Sequence, residues 1–230
     1  MKFFIINSTL PDSLLKLLLP YSEPIVVPPF EKLDFPVNAH PDMRAVSING
    51  KLFIHESDTL LSDALAKRDI PHTLCKTNVA AKYPRDIGLN LFTIKNFLFA
   101  NTAHASTEVL EHAKLCGYET VNVAQGYAKC STLLLDDALV TADTGIYRAA
   151  KERGIDALLI RPGYIEIEKY DTGFIGGASA KIAEGKIAVF GDIRNHPDGE
   201  KIIDFAKNHG TEILCLTDSQ LFDYGGIVCA

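Results

Sequence analysis

Three side-chain types in this sequence could together attack a planar carbon: a thiol, an imidazole and a carboxylate. Cys229 stands one residue from the end of Leu221-Phe-Asp-Tyr-Gly-Gly-Ile-Val-Cys-Ala230, behind a Gly-Gly entry and an apolar Ile227-Val228 pair. As a nucleophile it must be a thiolate, which requires a cation, a histidine or helix N-termini beside it. Without them it is a small hydrophobe in a terminal strand. His40 and Asp42 lie in Asn38-Ala-His-Pro-Asp-Met43, a polar cluster following a loop. An imidazole shuttles protons near neutral pH, and a carboxylate holds a planar cation through paired hydrogen bonds. Thiolate, imidazole and carboxylate also bind zinc. The spacing of His40, Asp42, Cys130 and Cys229 gives that reading no support, so neither metal nor cofactor is expected.

The five cysteines are widely spaced and form no CxxC pair, so neither a disulfide framework nor a structural zinc site is indicated. A reducing, cytoplasmic setting fits that pattern. The formal charge is −6 without a basic cluster, which argues against nucleic acid and is compatible with a small cationic ligand. Apolar residues make up 47% of the 230, enough for a real core. The run Leu14–Leu19 is broken by Lys16 and ends at Pro20, far short of a membrane span.

The elements that would position these side chains repeat. One unit of strand, tight turn, strand, capped helix and strand recurs at a spacing of roughly 40 to 50 residues, the range of propeller-like arrays. Arg44–Ile48, Asn49-Gly50, Lys51–His55, a helix from Ser57 and Thr73–Lys76 form the first copy. Asn-Gly between alternating apolar runs is a strong hairpin signal. The second runs Leu91–Ile94, Lys95-Asn96, Phe97–Ala100, a Ser106-capped helix ending at Gly117, and Glu119–Val123. Its stripe Val109, Leu110, Ala113, Cys116 predicts a core position for Cys116. The third runs Ser131–Leu135, Asp136-Asp137, Ala138–Thr141, a helix after Asp143-Thr144 and Ala157–Ile160. The fourth runs Gly176–Ile182, Glu184-Gly185, Lys186–Phe190, a helix capped by Asn195 or His196, and Thr211–Leu216. The remainder, a strand at Phe3–Ile6, a helix near Pro11, a strand at Pro24–Val27 and a lone strand in Asp223–Ala230, completes a fifth unit split between the termini. Pairing the two chain ends would close a ring and remove open sheet edges. The expected architecture is a single α/β domain over 1–230, a five-unit ββαβ propeller.

In such a ring the beginnings of the first strands line the axis. Counting back from the turns gives Asp42, Asn90 (or Gly88), Cys130, Gly177 and Cys229, with His40 and Gln125 to Tyr127 at the rim. Convergence of thiols, a carboxylate and an amide from distant segments marks a site.

Asp-Tyr-Gly-Gly-Ile-Val-Cys at the C-terminus resembles the Gly-Gly-x-x-Cys segment that carries the nucleophile in the guanidino-group-modifying superfamily, the pentein fold. Gln125-Gly-Tyr-Ala-Lys-Cys-Ser-Thr132 is similar to the segment that carries that superfamily's general acid/base histidine. The resemblance covers the whole chain and is to an uncharacterised branch. It implies a cysteine hydrolase acting on a carbon–nitrogen bond of a guanidino- or amide-type small molecule. Cys229 would attack, Asp42 would hold the cation and His40 would move protons. Asn90, Cys130, Asp86, Gln125 and Gly177 would line the substrate channel. The superfamily's histidine is replaced by Gln125, Gly126 or Tyr127, and its second-unit acidic element by Asp86-Ile-Gly-Leu-Asn90. A non-catalytic binding protein of the same fold is the alternative.

Overall fold

The computed structural model describes residues 3–230. The chain opens with β1 (Phe3–Asn7), α1 (Asp12–Leu18) and β2 (Glu23–Val27). The first repeat follows as β3 (Ala45–Ile48), β4 (Lys51–His55), α2 (Thr59–Ala66) and β5 (His72–Cys75). The second is β6 (Phe92–Ile94), β7 (Phe97–Ala100), α3 (Thr107–Leu115) and β8 (Glu119–Asn122). The third is β9 (Thr132–Leu134), β10 (Ala138–Thr141), α4 (Thr144–Lys151) and β11 (Asp156–Leu159), after which comes the short β12 (Ile165–Glu166). The fourth is β13 (Ser179–Ala183), β14 (Lys186–Val189), α5 (Gly199–Asn208) and β15 (Glu212–Cys215). β16 (Leu221–Phe222) and β17 (Val228–Cys229) end the chain.

Among the described residues these strands form five three-stranded sheets and one two-stranded ribbon. In each repeat the second strand is central, antiparallel to the first and parallel to the third. The parallel pair requires a crossover, and the helix supplies it. The terminal sheet obeys the same rule with its first strand taken from the other end of the chain. β17 pairs antiparallel with β1 (Phe4 opposite Cys229, Ile5 opposite Val228), and β1 is parallel to β2. Backbone hydrogen bonds between Phe3 and Ala230 at 2.9 and 3.1 Å extend the ladder. β12 and β16 pair parallel outside the repeat pattern.

The hairpins turn where the sequence chemistry predicts. Asn49 and Gly50 have φ of 50° and 76°, the left-handed pair that a two-residue turn needs, and Lys95 (φ 51°) and Gly185 (φ 64°) each supply one left-handed residue to the turn of their repeat. Two expectations fail. Cys116 is only half-buried, because α3 ends at Leu115 and the cysteine becomes its cap, within 3.5 Å of the Asn49 amide. The helix of the fourth repeat, α5, starts after Asp198, not at Asn195 or His196. The Asp198 carboxylate does not cap it, being occupied by the Arg161 guanidinium at 3.1 Å. His196 instead bridges, accepting from the Asp198 backbone N–H at 3.0 Å and donating to the Arg161 carbonyl at 3.2 Å.

The core divides into five clusters, each shared by two neighbouring repeats, and a sixth in which Phe30 and Leu33 of the Pro-rich connection pack on Met43, Val79 and Cys130. Val46, Phe53 and Leu98 join the first to the second; Phe92, Phe99 and Leu139 the second to the third; Leu133, Val140 and Val189 the third to the fourth. Ala180, Phe190 and Phe4 join the fourth to the terminal unit, and Ile25, Ile54 and Leu61 join that unit to the first. Each sheet thus buries both faces, which explains the near-continuous apolar runs of the central strands.

Candidate functional site

The starts of the first strands meet in a circuit of hydrogen bonds. The Asp42 carbonyl accepts from the Asn90 amide at 3.1 Å, and Asn90 Oδ1 accepts from the backbone N–H groups of Lys129 and Cys130 at 2.9 and 3.2 Å. The Cys130 carbonyl accepts from Gly176 and Gly177 at 2.8 and 3.1 Å. The Gly177 carbonyl accepts from Gly226 at 2.8 Å, and the Gly225 carbonyl accepts from Asp42 at 3.3 Å, returning to the start. Four of the five positions counted from the turns, Asp42, Asn90, Cys130 and Gly177, are therefore neighbours. The fifth is not Cys229. Gly225 and Gly226, at φ 75° and 63°, insert a left-handed turn before β17, so the glycines stand at the circuit and the cysteine lies further along the strand.

Each member is positioned by its own repeat. Two 3-10 turns, Val37–Ala39 and Pro41–Met43, bring His40 and Asp42 in from the Pro-rich connection. Behind them Arg44 donates to Asp58 at 2.7 and 2.9 Å and to the Pro28 carbonyl at 2.8 Å. Asp58 also accepts from Leu61 N–H at 3.2 Å, capping α2, so one buried ion pair ties the loop to the first repeat. His55 donates to the Met43 carbonyl at 3.1 Å, and burial lowers its pKa to about 4, so it is a neutral strut.

Asp42 is 1% exposed. Burial raises its pKa from 3.8 to about 6, against the attraction of His40 and Lys129. One of its oxygens, Oδ2, accepts the Cys130 thiol at 3.0 Å; the other, Oδ1, is buried with no partner. The Cys130 sulfur in turn accepts from Asn90 Nδ2 at 2.9 Å. Burial, followed by the Asp42 charge, pushes the Cys130 thiol well up. His40 Nδ1 faces Asp223 Oδ1 at 3.7 Å, and both are buried. Asp223 is held by the N–H groups of Phe174 and Gly225, each at 2.9 Å. Gly177 is required because a Cβ there would come within 2.0 Å of Asp223 Oδ1.

Two cavities flank this cluster. One, of about 210 Å³, is walled by His40, Cys130, Asp223, Tyr127, Tyr170 and Phe174. The other, of about 260 Å³, has Asp42, Lys129, Lys181 and Cys229 among its lining. Cys229 and His40 therefore line separate cavities. Cys229 is exposed, and it also borders a wider cleft of about 360 Å³ with Lys129 and Lys181. Tyr127 and Phe174 wall the first cavity with rings 5.9 Å apart. Asp86 reaches the site only through Tyr127, whose hydroxyl donates to Oδ2 at 2.7 Å; its Oδ1 is buried without a partner, and burial raises its carboxyl pKa. Gln125 is not brought in. It donates to Asp143 at 3.2 Å, accepts from Tyr127 N–H at 3.1 Å and lines a different cavity with Ser131 and Arg161. Among the described residues no group of three or more His, Cys, Asp or Glu side chains is placed to hold a metal ion.

Sequence reasoning missed Asp223 and Lys129. The signal for Asp223 was its place two residues before Gly225, an Asx turn in which the carboxylate bonds its own chain. Lys129 precedes Cys130 and donates to the Gly176 carbonyl at 3.3 Å, a role that only the folded circuit reveals.

Residues 5–228 match the model of DUF6873, a family of unknown function. The chain belongs to that family. No curated protein matches its sequence significantly. Among solved structures it is similar to DDAH from Pseudomonas aeruginosa, captured as a mutant complexed with citrulline: 10% identity, 94% of this chain and 92% of that one, TM-score 0.58. It is also similar to the agmatine deiminase of C. jejuni, at 9% identity, covering 94% and 87% of the two chains with a TM-score of 0.58. A third likeness is to SxtG, an amidinotransferase from Microseira wollei in the saxitoxin pathway: 10% identity, 93% and 87% coverage, TM-score 0.51. All three are pentein-fold proteins, and this DUF6873 chain has the same mixed α/β fold. Among its described residues no helix is long and apolar enough to cross a membrane.

Proposed function

We propose that this chain folds as one closed five-bladed ring and hydrolyses a carbon–nitrogen bond of a small cation of the guanidino or amidino type through a cysteine. The observation that carries this reading is Asp42, which is 1% exposed with one carboxylate oxygen lacking a partner. A buried, unpaired acceptor is costly, and sites retain such groups where a ligand completes them. A planar N–H donor bearing positive charge matches it best. In the adjoining cavity, which the Cys130 thiol links to Asp42, Asp223 adds negative charge and Tyr127, Tyr170 and Phe174 offer aromatic faces to a cation. Two thiols approach Asp42. Cys229, in the position to which the Gly-Gly-x-x-Cys resemblance points, lines a cavity with Asp42 and Lys129. Cys130 is hydrogen-bonded to Asp42. His40 stands in the Cys130 cavity to move protons. A thiol-dependent reaction suits a reducing, cytoplasmic setting.

A second reading, a pentein-fold protein that binds such a cation without reacting with it, is favoured by one observation. His40 and Cys229 line separate cavities, and Tyr127, in the segment that carries the superfamily's histidine, has its hydroxyl committed to Asp86. Incubation with a panel of guanidino and amidino compounds, read as released ammonia or amine, separates the two. The hydrolase reading expects turnover that Asp42→Asn removes. Binding that depends on Asp42 without any release supports the second, and neither binding nor release overturns both.

A further inference from the structure

We propose that Cys130, not Cys229, is the thiol that attacks the substrate carbon, with Asp42 as its general base. The assignment rests on the reading of this centre as a cation-binding hydrolase site and names the reacting atom within it.

A thiol nucleophile needs an acceptor for its proton, a donor for the charge that develops on sulfur, and space for the substrate on its open side. Cys130 has all three. Its Sγ donates to Asp42 Oδ2 at 3.0 Å and accepts from Asn90 Nδ2 at 2.9 Å. It lines the same cavity as His40, Asp223 and the aromatic walls Tyr127 and Phe174. Asn90 is itself fixed by the N–H groups of Lys129 and Cys130, so the donor cannot swing away. Cys229 is on an exposed strand end and shares its cavities with lysines and no imidazole. Burial disfavours a standing thiolate at Cys130, as the upward push on its thiol shows. The Asp42 carboxyl, raised to about 6, is correspondingly a stronger base than an ordinary aspartate. Proton transfer along the existing hydrogen bond, concerted with attack, removes the need for a free thiolate.

In the first half-reaction, Sγ forms a bond to the amidinium carbon, the carbon–nitrogen π pair moves onto nitrogen, and the thiol proton passes to Asp42 Oδ2. That proton then moves to the departing nitrogen, the carbon–nitrogen bond breaks, and ammonia or an amine leaves behind an S-linked thiouronium or thioimidate cation. Water adds to this carbon and gives its proton to His40, which Asp223 faces. As the carbon–sulfur bond breaks, the proton of the added hydroxyl passes to Sγ, a urea or an amide is released, and the proton held by His40 leaves to solvent, where the departed ammonia or amine takes it up.

The test is peptide-mapped alkylation of the folded full chain by 2-chloroacetamidine, with iodoacetamide as the uncharged control. A cation drawn to Asp42 labels Cys130 faster than iodoacetamide does, by roughly tenfold or more. The preference disappears in Asp42→Asn, and Cys130→Ser removes the adduct while retaining the wild-type melting temperature. Amidine-selective label on Cys229 alone overturns the assignment to Cys130 but keeps the cation site. Label without amidine preference on either cysteine overturns both readings. Mapping of the wild-type chain decides the question even where Cys130→Ser does not fold.

Discussion

Replacing Asp42 by asparagine should stabilise this protein at neutral pH. Burial lifts the carboxyl from 3.8 to about 6 despite His40 and Lys129 nearby, so the folded state holds the Asp42 proton more tightly than the unfolded chain does. The associated stability is fully present below about pH 4 and is lost as pH rises through about 6; a rise of that size corresponds to about 3 kcal/mol. The asparagine would still accept the Cys130 thiol through its amide oxygen, so little of the hydrogen bonding is given up. We expect Asp42→Asn to be more stable than wild type by about 1–3 kcal/mol at pH 7.5 and nearly equal to it at pH 4. Urea unfolding of both proteins at pH 4, 6 and 7.5 measures this. His55, whose pKa falls from 6.5 to about 4, acts in the opposite direction, losing stability as pH drops through that window. It is present in both proteins, so the difference between them isolates Asp42. A variant that is less stable at pH 7.5, or a difference that does not change with pH, refutes the account of Asp42 as a strained, ligand-awaiting carboxylate.

Other perturbations test the supports. Arg44→Ala strands the buried Asp58 carboxylate and releases the loop at Pro28, and should cost about 3–5 kcal/mol by urea unfolding. Gly225→Ala places a Cβ 2.3 Å from His40 Cβ at φ 75°; it should cost at least about 1–3 kcal/mol and weaken acetamidine binding by displacing His40, read by thermal melting and calorimetry. Tyr127→Phe leaves both oxygens of the buried Asp86 without a partner and should destabilise by about 1–3 kcal/mol at pH 7.5, measured by urea unfolding.

Local chemistry made the repeats legible. Asn49-Gly50, Lys95-Asn96 and Glu184-Gly185 mark the hairpins, with Asn49, Gly50, Lys95 and Gly185 left-handed, and β4, β7 and β10 begin and end where the apolar runs do. The split unit could be read because its pieces complement each other, and Phe4 opposite Cys229 bears that pairing out. Counting from the turns also brought Asp42, Asn90, Cys130 and Gly177 together, since a repeat carries its geometry with it. The count failed at Cys229 because two left-handed glycines shift the strand start, and composition alone does not say how far. Asp223 and Lys129 were hidden because their roles depend on contacts from other repeats. The start of α5 was misplaced because Asn195 closes a 3-10 turn, Ile193–Asn195, and donates its amide to the carbonyls of Asp218 and Ser219, so it is not free to cap and the helix begins only after Asp198.

The most direct measurement is calorimetric titration of the folded chain with acetamidine between pH 5 and pH 8, for wild type and Asp42→Asn. A carboxyl that titrates at about 6 and accepts the cation only when ionised predicts affinity that rises roughly tenfold from pH 5 to pH 7, levels off above, and vanishes in the variant. Affinity that ignores pH, or that survives Asp42→Asn, would contradict a cation held by Asp42.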